Sequence, residues 1–487
     1  MSSSSYLACD LGAESGRVIL GTLDQGRLTL SEIHRFPSAF LYLEGAWRWN
    51  IIAIFEELKT GIQKAVSETS GITSLSVDSW GVDYVYFRSG EPVLGLPYHY
   101  RDTRTDAPYT SALANDSGLI FSETGIQFMS LNTLYQFLDD LIHREHILAG
   151  AEKFLNIADY LNYLFSGIPR AEQSLASTTQ LYNPVTQKWS QKLIGHYGFR
   201  GSLFPEIVPS GTVLGKVREE LKIDPNIVVV ASCSHDTAAS VAAVPAKEGD
   251  NWAYLSSGTW SLLGVELDAP LINEAVRREN FTNEVGLGGR IRFLKNIVGL
   301  WIVQECRRNW KLLGQDLAYD EITRLASEAP PLRSLIFPND ERFLRPGDML
   351  DKVQGFCRET HQPIPESVGE IARTIYESLA LLYAATLDRL EILIECPIQT
   401  LHIVGGGSKS VLLNQFTANA TRRIVVAGPV ESTAIGNLLV QAMATGAVSS
   451  HAELRSIVGN SFPLDTLQPE PTDLWEEARI RFEKFLV

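Results

Sequence analysis

The residues best suited to chemistry open the chain. Asp10-Leu11-Gly12-Ala13-Glu14-Ser15-Gly16-Arg17 joins two short apolar runs by a turn of small and hydroxyl residues. Such turns suit phosphate, because backbone amides can approach its oxygens and cradle them. Ser15 offers a hydroxyl, Gly16 an uncovered amide and Arg17 a fixed cation. Asp10 is a hard oxygen ligand of the kind magnesium takes, through water, or it braces the turn. About half a chain later, Tyr254-Leu255-Ser256-Ser257-Gly258-Thr259 through Val265 repeats the layout. Neither G-x-x-x-x-G-K-[ST] nor a strand-linked G-x-G-x-x-G occurs, so P-loop and Rossmann readings lose their support. Gly286-Leu287-Gly288-Gly289 lacks the spacing as well.

The elements that must position these residues mix strands and helices. Tyr6–Ala8, Val18–Leu23 and Leu28–Ser31 read as strands, with turns at Gly12–Gly16 and Gln25-Gly26. A helix is expected over Ile51–Val66, then a strand Ile72–Val77 running into the loop Asp78-Ser79-Trp80-Gly81. Ile227–Ala231 reads as a strand emptying into the polar loop Ser232–Thr237. The clearest helix is Val368–Ile392, opened by a capping box of Ser367 and Glu370 and striped by Ile371, Ile375, Leu379, Leu382, Leu387 and Leu390. Strand Thr400–Val404 leads into Gly405-Gly406-Gly407; strand Val425–Ala427 and helix Ala434–Ala444 follow. Residues 100–225 are less periodic and stay unassigned. Alternating strands and helices give an α/β chain. The paired hairpins point to two related halves whose turns could face each other across a cleft.

With 487 residues, 45% of them hydrophobic and 20% charged, the chain can bury large cores. A formal charge of −15, from 42 basic and 57 acidic residues, argues against a nucleic-acid groove or an anionic lipid surface. Cys9, Cys233, Cys306, Cys357 and Cys396 are odd in number and without a CxxC pair. That spacing favours neither a disulfide framework nor zinc, and fits a reducing compartment. Met1-Ser2-Ser3-Ser4-Ser5 lacks the basic and apolar segments of a secretory signal, and no membrane-length apolar run occurs. A cytoplasmic protein is expected.

In these motifs the chain resembles the FGGY carbohydrate kinases of the actin-like ATPase superfamily. The resemblance rests on Asp10–Arg17, Asp78-Ser79-Trp80-Gly81-Val82-Asp83, Tyr100-Arg101-Asp102-Thr103-Arg104 and Gly125-Ile126-Gln127-Phe128. It continues with Ser234-His235-Asp236-Thr237-Ala238, Tyr254–Ser261, Leu294-Lys295-Asn296 through Trp301, and Leu401–Gly407. It runs in order over most of the chain, although the tetrapeptide that names the family is absent. It implies two actin-like, ribonuclease H-like domains with a central cleft, one over 1–246 carrying the first phosphate loop, the sugar site and the catalytic aspartate. The other, over 247–487, would carry the second phosphate loop and the adenosine site. The implied activity is ATP-dependent phosphorylation of a ketose, L-rhamnulose at its 1-hydroxyl, with L-fuculose or L-xylulose as alternatives and magnesium as helper.

By the same resemblance Ala13, Glu14, Ser15, Gly16 and Arg17 form the first phosphate loop, Thr259 sits on the second, and Gln304 and Gly406 line the nucleotide site. Gly81, His235, Asp236, Thr237 and Asn296 hold the sugar, Asp236 is the catalytic base, and Asp10 serves magnesium. The Glu14 carboxylate would be repelled by triphosphate unless it points outward or reaches magnesium through water. Phosphoryl transfer passes through a loose transition state, so the base mainly orients the hydroxyl and accepts its proton late. A short aspartate at a strand end meets that need. His235 is a sugar donor or a packed neighbour, Asn296 a grip on two hydroxyls or a satisfied amide, and Trp80 and Trp260 sugar-stacking or core. Arg101 and Arg104 flank Asp102, as in a surface salt bridge. A nucleotide-gated binding or chaperone module is the reading from another class; it would need no base aimed at a small alcohol. The expected partners are a sugar and ATP, with no nucleic acid or membrane, and a monomer or small homo-oligomer.

Overall fold

A computed structural model describes residues 3–247, 249–470 and 472–486. Met1 and Ser2, at the head of the serine run, lie outside the described residues. The chain forms two compact units: one of residues 1–245, 266–293 and 432–461, the other of 246–265, 294–431 and 462–487.

The first unit is built on a six-stranded sheet in the order Thr212–Lys216, Val228–Ala231, Ile72–Ser79, Ser4–Leu11, Ser15–Asp24, Arg27–Pro37. Its central strand Ser4–Leu11 pairs antiparallel with Ser15–Asp24 and parallel with Ile72–Ser79. Buried on both faces, that strand reads as the near-continuous apolar run Tyr6–Cys9. Helix Ile51–Glu68 covers one face, burying Ile51, Ile54, Leu58 and Ile62 at helical spacing, and Asn50 caps it by accepting from Ala53 N at 3.2 Å. Helix Ser432–Ala444 comes from far along the chain to pack on the same sheet. The expected turn Gly12–Gly16 is shorter than the sequence suggests. Gly16 already pairs with Leu11 of the first strand, and Ser15 with Pro37 of the third. The unassigned 100–225 stretch holds helices at Asp106–Thr124, Thr133–His143 and Ile157–Ser166.

In the second unit strand Trp252–Ser257 pairs antiparallel with Trp260–Leu267 and parallel with Thr400–Val404, which pairs in turn with Ile424–Ala427. Helix Val368–Ile394 runs 27 residues, and Ser367 and Glu370 make the reciprocal capping box. Its six expected apolar positions are buried. The α/β expectation therefore holds in both units. All five cysteines are free, four of them buried. No helix among the described residues is long and apolar enough to cross a membrane.

Candidate active site

The first hairpin places Asp10 opposite Arg17 in strand register, and the two side chains form an ion pair. Gly12 N donates to Ser15 O at 3.1 Å, closing the turn. Ser38, buried, clamps it from outside: its hydroxyl donates to Gly12 O at 2.6 Å and its amide to Glu14 O at 3.0 Å. Ala13 and Ser15 are half-buried, and Glu14 is exposed, so its carboxylate has room to turn outward. Gly16 is glycine for packing: a Cβ there would overlap the Phe36 ring and meet Leu11 Cδ2 at 2.7 Å.

On the parallel neighbour, Asp78 stands in register with Asp10. Asp78 is fully buried; Asn437 Nδ2 donates to its Oδ2 at 2.5 Å, and its Oδ1 has no hydrogen-bond partner among the described residues. Burial first, and then the nearby Asp10 charge, raise its carboxyl well above the usual range.

The segment Ser234–Thr237 joins this strand end through Ser79 N, which donates to Ser234 O at 2.9 Å. Ser234 N donates in turn to the buried Glu172 Oε2 at 3.1 Å, and His235 N to Ser174 Oγ at 3.1 Å. The expected loop Ser232–Thr237 ends early, because Asp236 already begins helix Asp236–Ala242 with His235 as its cap. That helix crosses Ser432–Ala444 so closely that a Cβ on Gly436 would strike the Ala239 carbonyl, its carbon only 2.6 Å away. Asp236 Oδ1 accepts from Thr237 N at 2.5 Å and Thr237 Oγ1 at 3.2 Å, and lies 3.4 Å from His235 Nε2. Its side chain keeps 30% of its surface open. Burial of the remainder, then the Asp10 charge, push this carboxyl up to about 7.

Gly81 packs against Thr178, whose Oγ1 would lie 2.7 Å from a Cβ there. Beside it Val82 adopts φ +66°, a strained conformation for a β-branched residue, held by Thr133 Oγ1 donating to Val82 O at 2.6 Å and by Val82 N donating to Thr178 Oγ1 at 3.3 Å. Trp80 belongs to the core: it lies 4.2 Å from the Trp49 ring, and both indoles donate to Asp83 Oδ2. The salt bridge to Asp102 expected of Arg104 is replaced. Arg104 pairs with Asp139 and Asp140 at 2.9 and 2.7 Å, whereas Asp102 caps the turn by accepting from Arg104 N.

The remaining expected positions belong to the second unit. The turn at Gly258–Thr259 is tied to helix Trp301–Leu312: Leu300 N donates to Gly258 O at 3.0 Å and Trp301 N to Thr259 O at 3.2 Å. Gly299 permits this approach, since a Cβ there would sit 2.8 Å from Gly258 O. Gln304 lies one turn along that helix, and its buried Oε1 has no hydrogen-bond partner among the described residues. Gly405 takes φ +84°, and a Cβ on Gly407 would fall 2.6 Å from Ser257 Cβ, whereas Gly406 faces open space. Asn296 sits half-buried on strand Ile291–Val298.

The N-terminal domain of the FGGY family of carbohydrate kinases matches residues 5–243, and the C-terminal domain of the same family matches residues 253–445. The chain belongs to the FGGY family of carbohydrate kinases. A rhamnulokinase of Bacteroides thetaiotaomicron is 42% identical over 484 residues, covering 98% of both chains. One from Bacillus subtilis is 39% identical over 472 residues, covering 96% of each. Among solved structures, gluconate kinase from Lactobacillus acidophilus superposes with a TM-score of 0.80 at 16% identity, covering 99% of this chain and 96% of that one. Plasmodium falciparum glycerol kinase with ADP gives 0.79 at 15% identity, covering 99% and 97%. These two likenesses establish the two-domain α/β fold.

Within the first unit, then, the FGGY fold gathers Asp10, Arg17, Asp78 and the His235–Thr237 segment around the ends of neighbouring interior strands. The second holds Thr259, Gln304 and Gly406 around its own hairpin. Sequence reasoning missed Ser38, Glu172, Ser174, Gly299, Arg292 and Asn437. Each acts across a long chain separation, where no local pattern marks it.

Proposed function

We propose that this FGGY kinase transfers the γ-phosphoryl group of ATP to the 1-hydroxyl of L-rhamnulose, yielding L-rhamnulose 1-phosphate and ADP. The observation that carries the chemistry is Asp236: a partly open carboxyl, raised to about 7 by burial, at the end of a pinned segment. A base near neutrality accepts a proton without being fully protonated beforehand. Near-full-length relatives named rhamnulokinase support the choice of sugar.

In this reading Gly81, His235, Thr237 and Asn296 hold the ketose so that its 1-hydroxyl faces Asp236. As the bond from O1 to the γ-phosphorus forms and the bond to the β-phosphate oxygen breaks, the hydroxyl proton passes to Asp236. Its open side returns that proton to solvent. The backbone of Ala13–Arg17, with the Ser15 hydroxyl, receives the phosphates, and Arg17 supplies positive charge. Thr259 sits at the second phosphate turn, and Gln304 and Gly406 line the adenosine site; the unpartnered Gln304 Oε1 suits an exocyclic amine donor. We assign residues 1–246 to the sugar and first phosphate site and 247–487 to the adenosine site, a division the family matches support. Asp10 fits magnesium through water, since its carboxylate is already engaged by Arg17. Magnesium, when bound, neutralises phosphate charge.

An ADP-release assay over a panel of ketoses tests this. Turnover with L-rhamnulose is expected. Turnover only with L-fuculose or L-xylulose would change the substrate and leave the kinase, and ADP release independent of any sugar would overturn both.

A further inference from the structure

We infer that Arg292 is a positioning residue that fixes His235 as the Nε2–H tautomer, so that Asp236 is the only proton acceptor of the pair. This rests on the assignment of Asp236 as base in the reading above.

Arg292 is fully buried. Its Nη2 lies 3.0 Å from Glu284 Oε2 and 3.0 Å from His235 Nδ1, and its Nε donates to Val285 O at 3.2 Å. Gly286 makes room for the stem, since a Cβ there would meet Arg292 Cγ at 3.1 Å. A guanidinium is always charged and has no acceptor. Whatever approaches Nη2 at that distance must therefore accept, so Nδ1 of His235 carries a lone pair. A neutral imidazole holds one hydrogen, which is then on Nε2, the nitrogen 3.4 Å from Asp236 Oδ1. The ring is kept neutral first by burial and then by the Arg292 charge, which hold it well below its usual pKa.

Two features suit a functional arrangement better than a purely structural one. Arg292 Nη1 is buried without a hydrogen-bond partner among the described residues, a defect that a core selected only for stability would shed. The Glu284 carboxylate, with Oε2 3.0 Å from Arg292 Nη2 and 3.6 Å from His235 Nδ1, compensates the buried charge on Arg292 while Nη2 keeps its contact with the ring. With Nδ1 occupied by Arg292 and a hydrogen already on Nε2, His235 has no free lone pair to take the sugar proton in place of Asp236. It orients the carboxylate or a sugar oxygen instead.

The test is a two-bond proton–nitrogen correlation spectrum of the full chain labelled with ¹⁵N-histidine, without substrate, the His235 signal being assigned by its loss in His235→Asn. A neutral Nε2–H ring near pH 7 is expected; an Nδ1–H ring or an imidazolium would overturn the inference. In Arg292→Gln the amide can donate or accept, so a mixture of tautomers is expected, with kcat lower by about 10²-fold and the KM for ATP unchanged. Arg292→Lys restores a donor-only cation and is expected to recover the single tautomer and part of the kcat. Unchanged kcat and tautomer in Arg292→Gln would overturn the proposal, and if that variant does not fold the wild-type spectrum decides alone. Full activity in Asp236→Asn would sink the base assignment and leave the spectrum as it is, which separates the two failures.

Discussion

The two hairpins share a backbone plan and differ in what fills it. In each, one strand pairs antiparallel with its hairpin mate and parallel with a strand from later in the chain. The first sets charge into that frame: Asp10 against Arg17, with Asp78 in register on the parallel neighbour. The second is neutral at its turn, and its frame is tightened by glycine, with Gly407 against Ser257 and Gly299 against Gly258. One plan can therefore serve two ends. Charge suits the place where protons and phosphoryl groups move, whereas close backbone packing suits a place that must hold a ligand still.

The strongest way to break this contrast is to remove charge from the first region. Asp236→Asn should lose about 10²–10⁴-fold or more in kcat while sugar binding persists, because general-base catalysis supplies that range. A variant that kept its kcat would end the assignment of chemistry to this side.

Acidity tests the same region without a substitution. The Asp236 carboxyl is raised to about 7, so it gains its proton as pH falls through that value and stops accepting one from the sugar. A plot of kcat/KM should fall tenfold per pH unit below about pH 7, since that ratio reports the free enzyme's essential groups. The midpoint should stay put in Thr259→Ala, which touches only the neutral hairpin. A flat profile between pH 5 and 8 would contradict it.

In the second region volume should matter more than charge. Gly407→Ala forces a Cβ against Ser257 and should cost about 1–3 kcal/mol, typical of overpacking, read as a lower melting temperature. Gly406→Ala meets open space and should melt like the wild type while raising the KM for ATP. Equal melting of the two would show that the glycines are not there for packing.

Two smaller effects sharpen the picture of the first turn. Ser38→Ala removes the bond to Gly12 O, worth about 0.5–1.5 kcal/mol, and should raise the KM for ATP more than it lowers kcat. Glu14→Ala should change stability by less than about 0.5 kcal/mol, as expected of an exposed side chain.

Local features were legible in the sequence. The capping box at Ser367 and Glu370 marked the start of the long helix, and short apolar runs located several of the main sheet strands, Thr400–Val404 to the residue. Asp10 and Arg17 were each legible as chemistry-bearing residues flanking a tight turn, whereas their ion pair came from the strand register that sets them opposite each other. What stayed hidden depends on contacts between distant segments. Nothing near Asp78 announces Asn437, 359 residues on, and nothing near Asp236 announces Glu172 or Arg292. The onset of the helix at Asp236 was missed because its polar first turn looks like a loop; what fixes it is the packing of Ala239 against Gly436.

That last contact has a consequence for synthesis on the ribosome. Helix Ser432–Ala444 closes over the first unit although most of that unit's residues emerge before position 246. At ~5–20 residues per second, Asp78 waits roughly 20–70 s for Asn437 to be made. Through that interval the nascent first domain lacks one of its covering helices, and the face that will meet Gly436 and Leu438 stays open to water. A chain stopped short of residue 432 would keep the base and the phosphate turn yet leave that apolar face bare, which makes it a substrate for chaperones rather than a slow kinase.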